Sequence, residues 1–161
     1  MNTPLDECLA DAAARTMESL ALMFLLDEDE VDDLGQSPAA VASVSFEGPV
    51  SGRLYMTVSE TLLPELAANM LGEMDSAVVT DDHQKDAACE LINVICGNLL
   101  PDVYGPEPVF HVAAPDFLGP GQIPETVSDQ PASGQARLNT DQGSVDLTLF
   151  LNTGSAAAEA A

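Results

Sequence analysis

Asp86, Glu90, Asn93 and Gly97 recur at helical spacing within the stretch Asp82–Leu100. At about 100° per residue of α-helix the four fall in one narrow arc. A carboxylate and a carboxamide three residues apart on that arc point the same way. The carboxamide donates and accepts at once, so it can hold a water molecule in one orientation. The carboxylate can pair with a cationic side chain of another molecule. Together they suit chemistry that is mostly positioning, of which phosphoryl transfer to water is the model case. Asn is a mediocre helix former, and Gly inside a helix costs about 0.5–1 kcal/mol relative to Ala. Both are odd choices for a merely solvated face. A bare Gly97 beside Glu90 and Asn93 marks a place where another molecule comes close. The bland reading is a solvated helix face, which is what an arbitrary D-xxx-E-xx-N most often is.

Other chemistries lack their residues. The sequence has no GxSxG, HExxH, P-loop or GxGxxG, and no His stands near a Cys or Ser in a catalytic pattern. His83 and His111 lie far apart and away from any CxxC, so no metal site is expected. The three cysteines, Cys8, Cys89 and Cys96, have no framework spacing. Cys89 and Cys96 fall on the shoulder of the central helix and read as small buried hydrophobes.

Composition narrows the partners. There are 27 acidic residues against four basic ones in 161, a net charge of −23. Such a surface repels phosphate backbones and anionic lipid, so neither nucleic acid nor a membrane surface is expected as a partner. The N-terminus carries acid where a secretory signal needs base, and the longest apolar run, Leu20–Leu26, is too short to span a bilayer. A cytoplasmic protein is the expectation. At 46% hydrophobic the chain has ample material for a core, and with no Trp that core is aliphatic.

The elements that position the stripe follow from periodicity. A first helix is expected from Pro4 to about Leu26, with Leu5, Leu9, Ala13, Met17, Leu20 and Phe24 buried and Thr3 as cap. An acidic connector covers residues 27–38. Strands Val41–Glu47 and Gly52–Val58 alternate, with Ala42, Val44, Phe46, Leu54, Met56 and Val58 inward, and GPVSG joins them as a hairpin. A second helix tolerates Pro64 in its first turn and stops at Gly72. The central helix, capped by Asp81 and Asp82 and closed by Pro101, buries Ala88, Leu91, Ile92, Ile95 and Leu99. A strand is expected at Val109–Ala114, a long exposed loop at Pro115–Ser133, and strands at Gln135–Thr140 and Ser144–Leu151. The fold class is α+β, with long helices packed on a mostly antiparallel sheet. Residues 1–154 are expected to form the domain and 155–161 a frayed tail. Each half opens with a long helix and runs into a hairpin, a faint duplication. The first helix offers Asp11, Arg15 and Glu18 where the central helix has Asp86, Glu90 and Asn93, so at most one site per chain is expected.

The stretch resembles the CheC/CheX/FliY phosphatases of bacterial chemotaxis. Their motif is Asp or Ser, three residues, Glu, two residues, Asn, and a Pro further on. Here it reads Asp86, Glu90, Asn93 and Pro115, the Pro one residue closer than usual. ELINVICGN is similar to the family's ELxNxIxGN, and SGRLYMTVSETLLPELAANMLGE to its preceding strand and helix. The single Glu/Asn pair is more like CheX than CheC. The resemblance implies a pseudo-duplicated domain that dephosphorylates the aspartyl phosphate of a CheY-like response regulator. It implies that Asn93 orients the attacking water and that Glu90 pairs with the regulator's active-site Lys. Asp86 then has an orienting, partner-facing role, while Gly97 and Asn98 permit close approach and end the helix. No cofactor of its own is implied, the Mg²⁺ belonging to the partner, and a homodimer paired through the sheet is expected. The competing reading is a non-catalytic adaptor for a regulator or flagellar component.

Overall fold

The computed structural model describes residues 4–20, 38–59, 61–72, 79–118, 132–140 and 143–151. The element order is α1 (Pro4–Leu20), β1 (Pro38–Glu47), β2 (Gly52–Ser59), α2 (Leu62–Leu71), α3 (Asp81–Tyr104), β3 (His111–Val112), β4 (Asp116–Leu118), β5 (Gly134–Asn139) and β6 (Ser144–Leu151). Among the described residues every strand pairing is antiparallel. The order β1-β2-β6-β5 forms the body of the sheet, and β3 and β4 both pair with the free side of β1. The class is α+β, as the sequence pattern required.

Strand alternation decides which side of the sheet is covered. Ala42, Val44 and Phe46 of β1, Leu54, Met56 and Val58 of β2, and Val145, Leu147 and Leu149 of β6 are all buried. They share one core with Leu9 and Met17 of α1, Leu62 and Leu66 of α2, and Leu91, Ile92, Ile95 and Leu99 of α3. The helices therefore lie on this side, and burial of their apolar faces rather than intrinsic propensity fixes them. Gly72 ends α2 in the left-handed region at φ 76°, where a side chain is costly.

α3 departs from expectation at both ends. Its cap is Thr80, not Asp81 or Asp82. The Thr80 hydroxyl accepts from the His83 amide at 3.1 Å, and the Thr80 amide donates back to His83 Nδ1 at 3.4 Å. Asp81 and Asp82 fall in the first turn, where their charge opposes the helix dipole favourably. At the other end the helix runs through Pro101 to Tyr104. The missing proline N–H removes one rung, to the Gly97 carbonyl. Against that loss, Leu99 and Leu100 are buried and Val103 and Tyr104 pack on the core, and burying one such side chain contributes about 1.5–3 kcal/mol. Packing wins. Gly105 closes the helix, its amide donating to the Pro101 carbonyl at 2.9 Å.

The segment after α3 also differs. The strand expected at Val109–Ala114 shrinks to His111–Val112, paired with Glu47 and Phe46 of β1, and one further bond follows it, from the Ala113 amide to the Ser45 carbonyl at 2.9 Å. Pro106 and Pro108, without amide protons, bar extension backwards. Phe110 turns inward against Phe46 and Tyr104, with ring centroids 6.0 and 5.5 Å away, while Val112 is exposed. Within the stretch expected to be a long loop, Asp116–Leu118 is strand β4, paired with Val41–Ser43 of β1. The expected strand at Gln135–Thr140 begins and ends one residue earlier. The end of the first helix beyond Leu20, the connector to β1, residues 119–131 and the C-terminal tail lie outside the described residues.

Candidate functional site

Asp86, Glu90, Asn93 and Gly97 are all exposed. On the opposite side of the same helix Ala88, Leu91, Ile92, Ile95 and Leu99 are buried at 0–1% exposure. The amphipathic pattern thus turns the carboxylates and the carboxamide outward together. A Cβ built on Gly97 would meet nothing within 4 Å. The glycine therefore answers no crowding inside the fold. Its bare backbone faces open space.

Both flanks of α3 are held. On one side the Asn98 amide donates to the Thr16 hydroxyl at 2.9 Å, and that hydroxyl donates to the Ala12 carbonyl at 2.7 Å. Asn98 is therefore a tie between α3 and α1, not the helix terminator or docking residue that the GN dipeptide suggested. The helical wheel already separates it from Asn93, by about 140°. Arg15 adds an ion pair from α1 to Asp102 and a second within α1 to Asp11, at 3.1 Å. The first helix's counterpart of the stripe, Asp11-Arg15-Glu18, is thereby engaged in an ion pair between helices.

The second flank is β4. Pro115 is half-buried directly before it. Asp116 lies close enough to Cys89, the neighbour of Glu90, to act on its thiol. Burial, the largest cause, pushes the Cys89 thiol up; Lys85 pulls it down, while Asp86 and Asp116 raise it further. Cys96 is pushed up to about 12 by burial. Neither thiol is activated as a nucleophile. The fold thus sets β4 beside α3 and brings Asp116 near Cys89, which no spacing argument in the sequence could place there. Only the pairing of β4 with β1 does so. Among the described residues no three His, Cys, Asp or Glu side chains gather as a metal site. No described helix is long and apolar enough to cross a membrane.

What this arrangement defines is an α+β protein whose long helix, clamped between a second helix and a short edge strand, presents a carboxylate and a carboxamide outward. Its family follows from comparison. The model of the chemotaxis phosphatase CheX matches residues 40–138, more than half of the chain, and the chain belongs to that family. The chemotaxis protein CheX from Vibrio vulnificus is similar at 15% identity and a TM-score of 0.69, over 93% of this chain and 97% of that one. A CheC-like superfamily protein from Shewanella sp. PV-4 is similar at 22% identity and 0.67, over 94% and 99%. CheX in the CheX–CheY–BeF₃–Mg²⁺ complex from Borrelia burgdorferi is similar at 16% identity and 0.62, over 90% and 96%. No curated protein matches the chain. At these identities the structures show a shared fold.

Proposed function

We propose that this chain dephosphorylates a CheY-like response regulator in the cytoplasm, docking it on the α3 stripe. The observation that carries the reading is the joint exposure of Glu90 and Asn93 on a helix whose other side is fully packed. Membership of the CheX family and the likeness to a CheX found in complex with CheY support it. In this reading Asn93 orients a water in line with the phosphorus. The water oxygen bonds to phosphorus, the bond to the aspartyl oxygen breaks, and the carboxylate leaves with its electron pair while phosphate carries off the water's proton. The chain forms no covalent intermediate. Glu90 pairs with the regulator's active-site Lys, and Asp86 steers the approach one turn earlier. The Mg²⁺ is the regulator's. The chain needs no cofactor of its own.

A panel of phosphorylated regulators tests the reading. Phosphate release should accelerate for one or a few of them. A regulator that binds without any acceleration would select the adaptor reading instead.

Gly97 has its own signature. Because a Cβ there meets nothing, Gly97→Ala should stabilise the fold by about 0.5–1 kcal/mol, raising Tm by roughly 2 °C. The same methyl should weaken regulator binding by intruding on the contact. Thermal melts and a binding titration on one preparation would show the two effects moving in opposite directions.

We also propose a homodimer paired through a sheet edge, since exposed sheet edges carry unpaired backbone groups that invite association. Among the described residues the sheet ends at β5 on one side and at β3 and β4 on the other. Light scattering at high micromolar concentration should report twice the chain mass; a monomer there rejects the dimer.

A further inference from the structure

We propose that the backbone carbonyl of Gly97 is a hydrogen-bond acceptor for the docked regulator, so that the partner must bring a donor to α3 one turn beyond Asn93. In an α-helix the carbonyl of each residue accepts from the amide four residues on. Four residues on from Gly97 stands Pro101, which has no amide proton. Pro101 is inside α3, not at its end, because the helix continues to Tyr104 and the Gly105 amide closes on the Pro101 carbonyl. Gly97 therefore lacks its rung while the helix carries on past it.

The placement of this carbonyl gives it a use. Gly97 and Pro101 are both exposed, and the missing Cβ at Gly97 leaves open space above the backbone. Along the helix axis Gly97 lies about 6 Å from Asn93, and around it about 40° away. A stable protein interface covers roughly 800 Å² on each partner, so anything that seats on Asn93 also covers Gly97. In water an open carbonyl is hydrated and costs little. Once covered it must find a new donor, or the interface carries a desolvated acceptor. Two residues that weaken helices, four apart on the one exposed stripe, make sense together if that acceptor is used. The matching group on the regulator is a backbone amide, a hydroxyl or a cationic side chain.

This inference rests on the docking of a regulator on α3, and its test separates the two. The probe is a CheY-like receiver domain loaded with beryllofluoride and Mg²⁺, titrated against the parent chain, Pro101→Ala and Pro101→Val. Both variants restore an amide at position 101, and Val keeps the apolar bulk of the ring. Each should raise Tm, because the amide finds the Gly97 carbonyl, and each should bind the receiver about five- to tenfold more weakly, tenfold being about 1.4 kcal/mol. An unchanged Tm means that the carbonyl already has a donor, and the inference falls. Parent-like binding by both variants, or by Pro101→Val alone, also overturns it, the latter by showing that the ring itself made the contact. A parent chain that binds no receiver takes down the docking reading and this inference with it.

Discussion

Replacing Asn93 by Ala should cut the rate of regulator dephosphorylation at saturation by about 10²-fold or more, while the affinity for the phosphorylated regulator stays close to that of the parent. Removing one preorganised polar group that acts on the transition state typically costs about 10²–10³ in kcat. A hundredfold loss is about 2.7 kcal/mol of barrier. In the proposed mechanism the carboxamide acts where the phosphorus–oxygen bond forms and adds little to ground-state binding, so the loss should fall on turnover. Folding should be unaffected, because Asn93 is exposed. Single-turnover decay of phosphorylated regulator, measured with chain in excess, reads this directly. Parent-like decay by the variant would end the water-positioning role.

Glu90→Ala should behave differently. A charge that anchors a partner's Lys in a covered interface is worth about 2–5 kcal/mol when one member is truncated. A thirtyfold or larger rise in the Kd for the regulator follows, about 2 kcal/mol, with a loss of turnover beside it because the docked geometry loosens. Salt gives the signature. At −23 the chain repels acidic partners in general, so specific pairs must carry the docking. Raising ionic strength should screen the proposed Glu90–Lys pair in the parent. The ratio of variant to parent Kd, compared at equal salt, should therefore shrink as salt rises. A ratio indifferent to salt would mean that Glu90 acts through shape rather than charge. Glu90→Gln, which keeps the shape, should then bind like the parent.

The periodicity of the sequence carries most of this site. Its 3.6-residue repeat places Glu90 and Asn93 outward and Leu91, Ile95 and Leu99 inward, and burial agrees residue by residue. The hairpin of β1 and β2, the Gly72 stop and the bounds of β6 are as legible, because each rests on local chemistry: alternation, a left-handed cap, a turn. What escapes a local reading depends on partners distant in the chain. Pro101 looks like a stop until the packing of Val103 and Tyr104 on the core is weighed against one lost rung. β4 cannot be seen in a Pro/Gly-rich stretch because its three residues are strand only through β1. Asn98 looks like part of the site by adjacency, whereas its amide is committed to Thr16, 82 residues away. The cap at Thr80 was hidden by two aspartates beside it that suit the same end for another reason.

The proposed function makes the chain a catalyst, and the adaptor reading makes it only a binder of its regulator. Phosphate release from a phosphorylated regulator, followed with the chain at a small fraction of the regulator concentration, decides between them. A catalyst should give a decay constant that rises in proportion to chain concentration and many phosphates released per chain. Decay at the regulator's own intrinsic rate, at chain concentrations where a complex forms, would contradict the proposed function.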